Sequence, residues 1–305
     1  MRDEHKVWQL MGETSASIYP LAQAVMRPQF EKYFTEQRFY PLTFTAAQLA
    51  PKPVSLDLLN KHNPYANPAT TKALLADTAE AGYLDPDGAG GYVVSQKGAD
   101  AIYTVHETFY NYINKINQFS SDKLKELDIL LDKLVSACTK ADFPGGTFRL
   151  DISHNGHPQV EPASLAKIDQ HLDDMNAFRD DAHVAAWTPV GVDGHIWEVL
   201  TFIWRGEVNT TEKLVEQLPY RTYLAEDYTA TLNELNERGW IEPGKDGYKI
   251  TVTGKQIRDD AEEATDRNYF SPWQVLTDEE VDRLGELLSE LKETNLKIAE
   301  ENQVE

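Results

Sequence analysis

The side chains best able to do chemistry crowd into one stretch, FRDDAHVAAWTPVGVDGHIWEVLTFIWRG, residues 178–206. It holds Asp180, Asp181, His183, Trp187, Asp193, His195, Trp197 and Trp204. On a helix His183 and Trp187 share one face, with Asp180 one turn before His183. GVDGH reads as a tight turn, and Asp193 is placed to cap a helix starting near His195. Three readings fit these residue types. Aromatics at helical spacing fit a packed core with capping aspartates. Histidines beside tryptophans fit a small-molecule pocket. Asp180 or Asp181 with His183 and His195 fits a divalent-metal site. The expectation carried forward is a ligand site of His183, Trp187, His195, Trp197 and Trp204, with no metal and no cofactor.

Other chemistry is sparse. The segment 142–162, DFPGGTFRLDISHNGHPQVEP, alternates through TFRLDIS and places Asn155-Gly156 where a hairpin turn belongs. His154 and His157 flank that turn, with neither a helix nor a third ligand to make them a metal pair. No Gly-x-Ser-x-Gly elbow, Walker loop, dinucleotide fingerprint or His-Glu-x-x-His motif occurs, so no enzyme activity is expected. Cys138, the one cysteine, sits among leucines and reads as a buried thiol; no intrachain disulfide is possible, which fits a cytoplasmic protein. No apolar run approaches the roughly 18 residues of a membrane span, and no signal core follows the N-terminus.

The elements that position these residues are written twice. GYVVSQKGADAIY at 91–103 is echoed by GYKITVTGKQIRD at 247–259. Leu75, Gly82, Leu84 and Pro86 match Leu232, Gly239, Ile241 and Pro243, each 157 positions on. Leu127, Leu130, Leu131 and Leu134 fall on Leu284, Leu287, Leu288 and Leu291 at the same spacing. We read this register as a tandem duplication. In each copy a short helix, a turn and a second helix end at a glycine suited to a left-handed cap, Gly239 in the second. Thr210 or Thr211 opens the short helix of the second copy, Thr211 with Glu212 serving as cap, and its second helix starts near Ala225. A strand-turn-strand hairpin follows, with Lys245-Asp246-Gly247 in its second-copy turn. Ser95 and Thr253 then sit near the start of a long helix. Helix, turn, helix and wing make a winged helix-turn-helix.

The stretch LNELNERGWIEPGKDGYKITVTGKQI, followed by LTDEEVDRLGELLSEL, resembles the multiple-antibiotic-resistance-regulator (MarR) family. The likeness rests on an Arg-Gly-hydrophobic step, a wing, Thr-x-x-Gly, and a Thr-Asp-Glu-Glu start to a leucine-rich helix. It covers most of 195–295 and, more weakly, 54–135. The resemblance implies a ligand-responsive transcriptional regulator that binds double-stranded operator DNA and releases it on binding a small aromatic molecule. Family members are usually homodimers of single units, whereas two units share this chain. The expected fold is therefore mainly α with small β wings: two tandem winged-helix units forming a pseudo-twofold intramolecular dimer. The expected divisions are 1–141, a hairpin-like linker over 142–162, and 163–305. A monomer with a pseudo-dimeric core is expected rather than an obligate homodimer.

Charge argues the other way. The chain carries 29 basic and 50 acidic residues, a net of −21, and such a field repels phosphate at long range. About half of the excess lies between Asp259 and Glu305, where fifteen acids face four bases. Residues 54–82 have a net of −1 and residues 209–239 a net of −3. The candidate DNA contacts are Asn67, Thr70, Thr71 and Lys72 in the first copy, and Arg221, Tyr223, Tyr228, Thr229, Lys245 and Lys249 in the second. The alternative is a winged-helix protein that no longer binds DNA and serves as a small-molecule or protein-binding module.

Overall fold

A computed structural model describes residues 3–116 and 118–303. The fold is mainly α with two small antiparallel hairpins. The helices are α1 (Glu4–Tyr33), α2 (Tyr40–Leu49), α3 (Leu56–His62), α4 (Pro68–Glu80), α5 (Gln96–Ile113), α6 (Ser121–Cys138) and α7 (Phe148–Gly156). They continue with α8 (Leu165–Trp187), α9 (Gly194–Arg205), α10 (Thr211–Gln217), α11 (Ala225–Glu237), α12 (Val252–Phe270) and α13 (Asp278–Gln303). The strands are β1 (Leu84–Pro86) with β2 (Tyr92–Val94), and β3 (Ile241–Gly244) with β4 (Gly247–Ile250). The pairs α4 and α11, β1 and β3, and α6 and α13 each begin 157 residues apart. No counterpart of α7 occurs among the described residues.

Two compact units result. The larger comprises residues 1–53, 78–181 and 268–305; the smaller comprises 54–77 and 182–267.

In the larger unit α1 packs along α13. Thr14 donates to Leu288 O at 3.1 Å, and Asn295 Nδ2 donates to Ser17 Oγ at 3.0 Å between buried faces. A reciprocal cap starts α13: Thr277 Oγ1 accepts from Glu280 N, and the Glu280 carboxylate accepts from Thr277 N. The leucines of the repeated pattern, Leu127, Leu131, Leu134, Leu284, Leu287 and Leu288, are fully buried. Polar groups beside them pair α6 with α13. Arg283 holds Glu126 through two bonds, at 2.9 and 2.7 Å, and these residues stand 157 apart. Lys133 binds Glu280 at 2.7 Å, and Lys123 binds Glu290. Position 123 corresponds to 280 in the repeat register, and 133 to 290. α6 thus carries lysine at both places and α13 carries glutamate.

One element differs from expectation. Residues 148–156 form the helix α7, not a strand leading into an Asn-Gly hairpin turn. The reason is a partner remote in sequence. Buried Asp181 on α8 accepts from Arg149 N at 2.8 Å and Leu150 N at 2.9 Å, satisfying amides that a helix start leaves free. Its ion pair with Arg149 Nη1, at 3.1 Å, fixes the same end. Asp174 holds the other end, 2.7 Å from His154 Nδ1 and 3.0 Å from His157 Nε2.

The glycine of the Thr/Ser-x-x-Gly step has a steric cause at the start of both α5 and α12. Ser95 Oγ and Thr251 Oγ1 cap α5 and α12, accepting from Gly98 N and Gly254 N, each at 3.0 Å. The second cap is Thr251, two residues before the expected Thr253. A Cβ on Gly98 would lie 2.3 Å from Tyr83 O, and one on Gly254 would lie 2.1 Å from Trp240 O. Only glycine lets the helix start close on the strand entry.

Candidate functional site

The smaller unit holds a full helix-turn-helix with wing: α10, a 3-10 turn over Pro219–Arg221, α11 and the β3–β4 hairpin. Thr210 caps α10, accepting from Lys213 N at 3.3 Å, one residue before the expected Thr211. Asp227 opens α11 by accepting from Leu224 N at 2.8 Å. Tyr228, Thr231, Leu232 and Leu235 face the core. The outward positions Glu226, Thr229, Asn233, Asn236 and Glu237 offer amides and acids but no cation. Gly239, at φ 73°, ends the motif in the left-handed conformation.

The expected DNA contacts divide sharply. Arg221 is clamped within the protein. Its Nε lies 3.0 Å from each Glu198 oxygen and its Nη2 2.6 Å from one of them, while Nη1 reaches Asn63 Oδ1 at 3.4 Å. Burial raises the Glu198 carboxyl above its ordinary range, and the Arg221 bonds oppose that shift. Tyr223 stacks on His195 at 3.7 Å and donates to Ala66 O at 3.2 Å. Tyr228 is fully buried. Thr229 donates to Ala225 O at 2.8 Å and lies 3.0 Å from Thr211 Oγ1. Asn67 caps α4, accepting from Ala69 N at 3.0 Å, and its carbonyl accepts from Thr71 Oγ1 at 3.0 Å. Lys72, Lys245 and Lys249 are exposed, and Lys249 pairs across the hairpin with Glu242 at 2.8 Å.

The two motifs meet at their turns. Thr222, a non-glycine residue at φ 61°, is hydrogen-bonded to Thr70 Oγ1 at 2.8 Å, and its carbonyl accepts from Asn67 Nδ2 at 3.3 Å. Such a backbone costs on the order of 1–3 kcal/mol and persists only where neighbours hold it. Trp187 Nε1 donates to Tyr65 OH at 3.0 Å beside them. The starts of α4 and α11 are therefore tied together. Each helix is 13 residues, and so about 20 Å long.

The expected ligand residues build the core of the smaller unit. Trp187 and Trp197 stack at 5.8 Å and are 4% and 1% exposed. His195 Nε2 lies 2.9 Å from Thr231 Oγ1, and burial pushes its pKa down to about 4, so the ring is neutral. His183 Nδ1 lies 3.3 Å from Thr265 Oγ1. Trp197 and Trp204 enclose Arg258, whose guanidinium carbon sits 4.4 Å and 4.8 Å from the two ring centres. Glu262 accepts from Arg258 Nη2 at 2.6 Å, and Trp204 Nε1 donates to Asp259 at 3.0 Å. The tryptophan cage already holds a cation, supplied by the chain. Among the described residues no group of three or more His, Cys, Asp or Glu side chains is arranged to hold a metal ion, and no described helix is long and apolar enough to cross a membrane.

A helix-turn-helix family model matches residues 116–299, more than half of the chain, and encloses α10, α11 and the β3–β4 wing. The chain belongs to this helix-turn-helix family. No curated protein and no solved structure matches it. In this helix-turn-helix protein the matched segment contains the second motif, while α3 and α4 of the first lie outside it. Two adjoining cavities lie elsewhere, in the larger unit, one between α1, α2, α5 and α8 and a wider one between α2, α5 and residues 156–161. Their lining residues, Tyr40, Phe44, His106 and Tyr110 among them, are not singled out by the sequence motifs. The available signal is Asp169 and Asp173, two carboxylates four apart on one helix face.

Proposed function

We propose that the protein is a ligand-responsive transcriptional regulator of MarR-like type, a cytoplasmic tandem duplication that folds as an intramolecular dimer and contacts duplex DNA mainly through its second motif. The observation that carries this reading is the complete helix-turn-helix with a wing bearing exposed Lys245 and Lys249, in a chain of the helix-turn-helix family. The duplication is supported by elements recurring 157 residues apart and by the Glu126–Arg283 pair at that spacing. Lysine at 123 and 133 facing glutamate at 280 and 290 favours pairing within one chain, since two like copies would face like charges. The conformation with the reader starts tied together is the DNA-free state of the proposal. In the DNA-bound state the Thr70–Thr222 contact opens and Arg221 leaves Glu198.

The second reading, a winged-helix module without DNA, is favoured by the Arg221–Glu198 clamp together with the net charge of −21. Low-salt anisotropy titrations with duplex fragments from around the protein's own gene separate the two. We expect weak binding whose salt dependence reports roughly two to four ion contacts. Lys72→Glu with Lys245→Glu should eliminate it, and Lys292→Glu on α13 should not. Absence of binding at micromolar protein establishes the second reading.

A further inference from the structure

Two cavities in the larger unit adjoin one another. The inner one, 240 Å³, is walled by Tyr19, Phe30, Tyr40, Phe44, Phe109 and Tyr110, with Asp169 and Asp173 also lining it. It shares Phe44, His106 and Tyr110 with a wider opening of 660 Å³. Together they fall within the size range of small-molecule sites. The rings form an ordered wall. Tyr40 and Phe44 stack at 5.9 Å, His106 stacks on Phe44 at 4.7 Å, and Tyr40 OH lies 3.2 Å from His106 Nε2. Burial pushes the His106 pKa down to about 4, so this ring is neutral and brings no positive charge to the carboxylates.

Asp169 and Asp173 lie four apart on α8, where like charges repel. Among the described residues no hydrogen bond or ion pair reaches either carboxylate. Of the other three aspartates of this helix, Asp180 also has no hydrogen bond among the described residues but lies in the field of Arg149 and Arg179, and two are fully engaged. Asp174 is met by Ser153, His154 and His157, and Asp181 by Arg149 and Leu150. Asp169 is half-buried, and Asp173 stands at the rim, exposed to solvent. Desolvation by the surrounding protein and repulsion by Asp173 raise the Asp169 carboxyl well above its ordinary range; desolvation lifts Asp173 to about 6, with His157 opposing the shift through space and Asp174 adding to it. The helix thus engages Asp174 and Asp181 with α7, while the two acids that line the aromatic cavity have no hydrogen-bond partner in the protein among the described residues.

The smaller unit gives the internal precedent. There Arg258 lies between Trp197 and Trp204 and is bonded to Glu262. The residue 157 before Trp197 is Tyr40, and 156 before Glu262 is His106, both on the cavity wall. The residue 156 before Arg258 is Ile102, which lines the wider opening and supplies no charge. One region carries its own cation inside aromatic walls; the other has aromatic walls of different make-up, since Trp204 falls on Ala47 in the same register, with two acids and no Arg or Lys among the described residues lining the inner cavity.

We propose that the cavity between α1, α2, α5 and α8 binds a small organic cation, an amine or amidine carried on an aromatic or apolar body. Aromatic faces attract such cations, and the attraction grows when both are shielded from water. A bare divalent ion fits poorly, since calcium takes six to eight oxygen ligands and only two carboxylates line the 240 Å³ cavity, Glu107 and Glu161 lining the wider opening beside it. The site does not depend on the DNA reading, and its test makes no use of DNA.

The experiment is calorimetric and thermal-shift titration of the full chain at pH 8 with phenethylamine and benzamidine, against neutral phenethyl alcohol and anionic phenylacetate. At least one of the two cations should bind saturably and raise Tm, at least tenfold more tightly than the alcohol or the acid. In Asp169→Asn/Asp173→Asn that preference should vanish, while the unliganded variant melts no lower than the parent, which separates lost binding from lost folding. Equal binding of all four probes, no binding of either cation at millimolar concentration, or a cation preference that survives in the double variant would overturn the proposal.

Discussion

Two aromatic cages in this molecule solve the same electrostatic problem in opposite ways. In the smaller unit, Trp197 and Trp204 surround the fully buried Arg258, and Glu262 balances its charge. In the larger unit, Tyr40, Phe44, His106 and Tyr110 surround open space, and Asp169 and Asp173 face it with no hydrogen-bonded or ion-paired counter-ion among the described residues, His157 reaching Asp173 only through space. The first cage is closed and contributes to stability. The second costs stability while empty, because like charges are held on one helix face against apolar walls. A site that waits for a ligand is expected to look like the second, and a core like the first.

The largest test of this contrast is Arg258→Ala. It removes a buried cation from between two indole rings, leaves Glu262 without its partner and opens a void. Denaturant unfolding should report a loss of about 3 kcal/mol. A loss below about 1 kcal/mol would mean that the guanidinium is dispensable and the two cages are less different than they look.

An intermediate effect concerns pH. A carboxyl whose folded pKa is raised favours the folded state while protonated, and that advantage is lost as pH rises through the folded value. For Asp173 the window runs from its unfolded value, about 4, to about 6. The Tm gain of Asp169→Asn/Asp173→Asn over the parent should therefore be near zero at pH 4 and grow as pH rises through about 6, with Asp169, raised well above its ordinary range, adding to the gain as it ionises. The buried histidines act in the opposite sense. His106 and His195, each held down to about 4, keep the folded state stable above pH 6.5, and that stability is lost as pH falls toward 4. The comparison is consequently made between variant and parent at each pH, where the histidine contribution is common to both.

The smallest effect lies in the α6–α13 pairs. Their side chains are roughly a third to a half exposed, so each pair is worth about 0.2–1 kcal/mol. Lys123→Glu with Lys133→Glu should lower Tm slightly, and adding Glu280→Lys with Glu290→Lys should restore it. Restoration would support charge-directed pairing of the two copies. Independent, additive losses would argue against it.

Local signals carry the elements well. Gly239 ends α11, glycine follows the α5 and α12 caps, and the repeat spacing of 157 is matched by the starts of α4 and α11, β1 and β3, and α6 and α13. Remote partners are not legible. α7 alternates like a strand, yet Asp181, more than thirty residues away, satisfies the amides at its start. Arg221 reads as a phosphate contact because nothing nearby in sequence announces Glu198 as its clamp. Trp197 and Trp204 read as ligand residues for a sound reason, since they do cage a cation, but that cation is Arg258 of the same chain. The open cavity draws its walls from four helices spread between Ser15 and Asp173, a juxtaposition that helical periodicity alone does not encode.

The most direct measurement is amide and side-chain NMR mapping of the full chain titrated with phenethylamine at pH 8. The account predicts saturable shifts at Phe44, His106, Tyr110 and Asp173, with the indole signals of Trp197 and Trp204 unmoved. Shifts centred on Trp197 and Trp204, with the α2, α5 and α8 signals unmoved, would contradict it and return the ligand site to the tryptophan stretch.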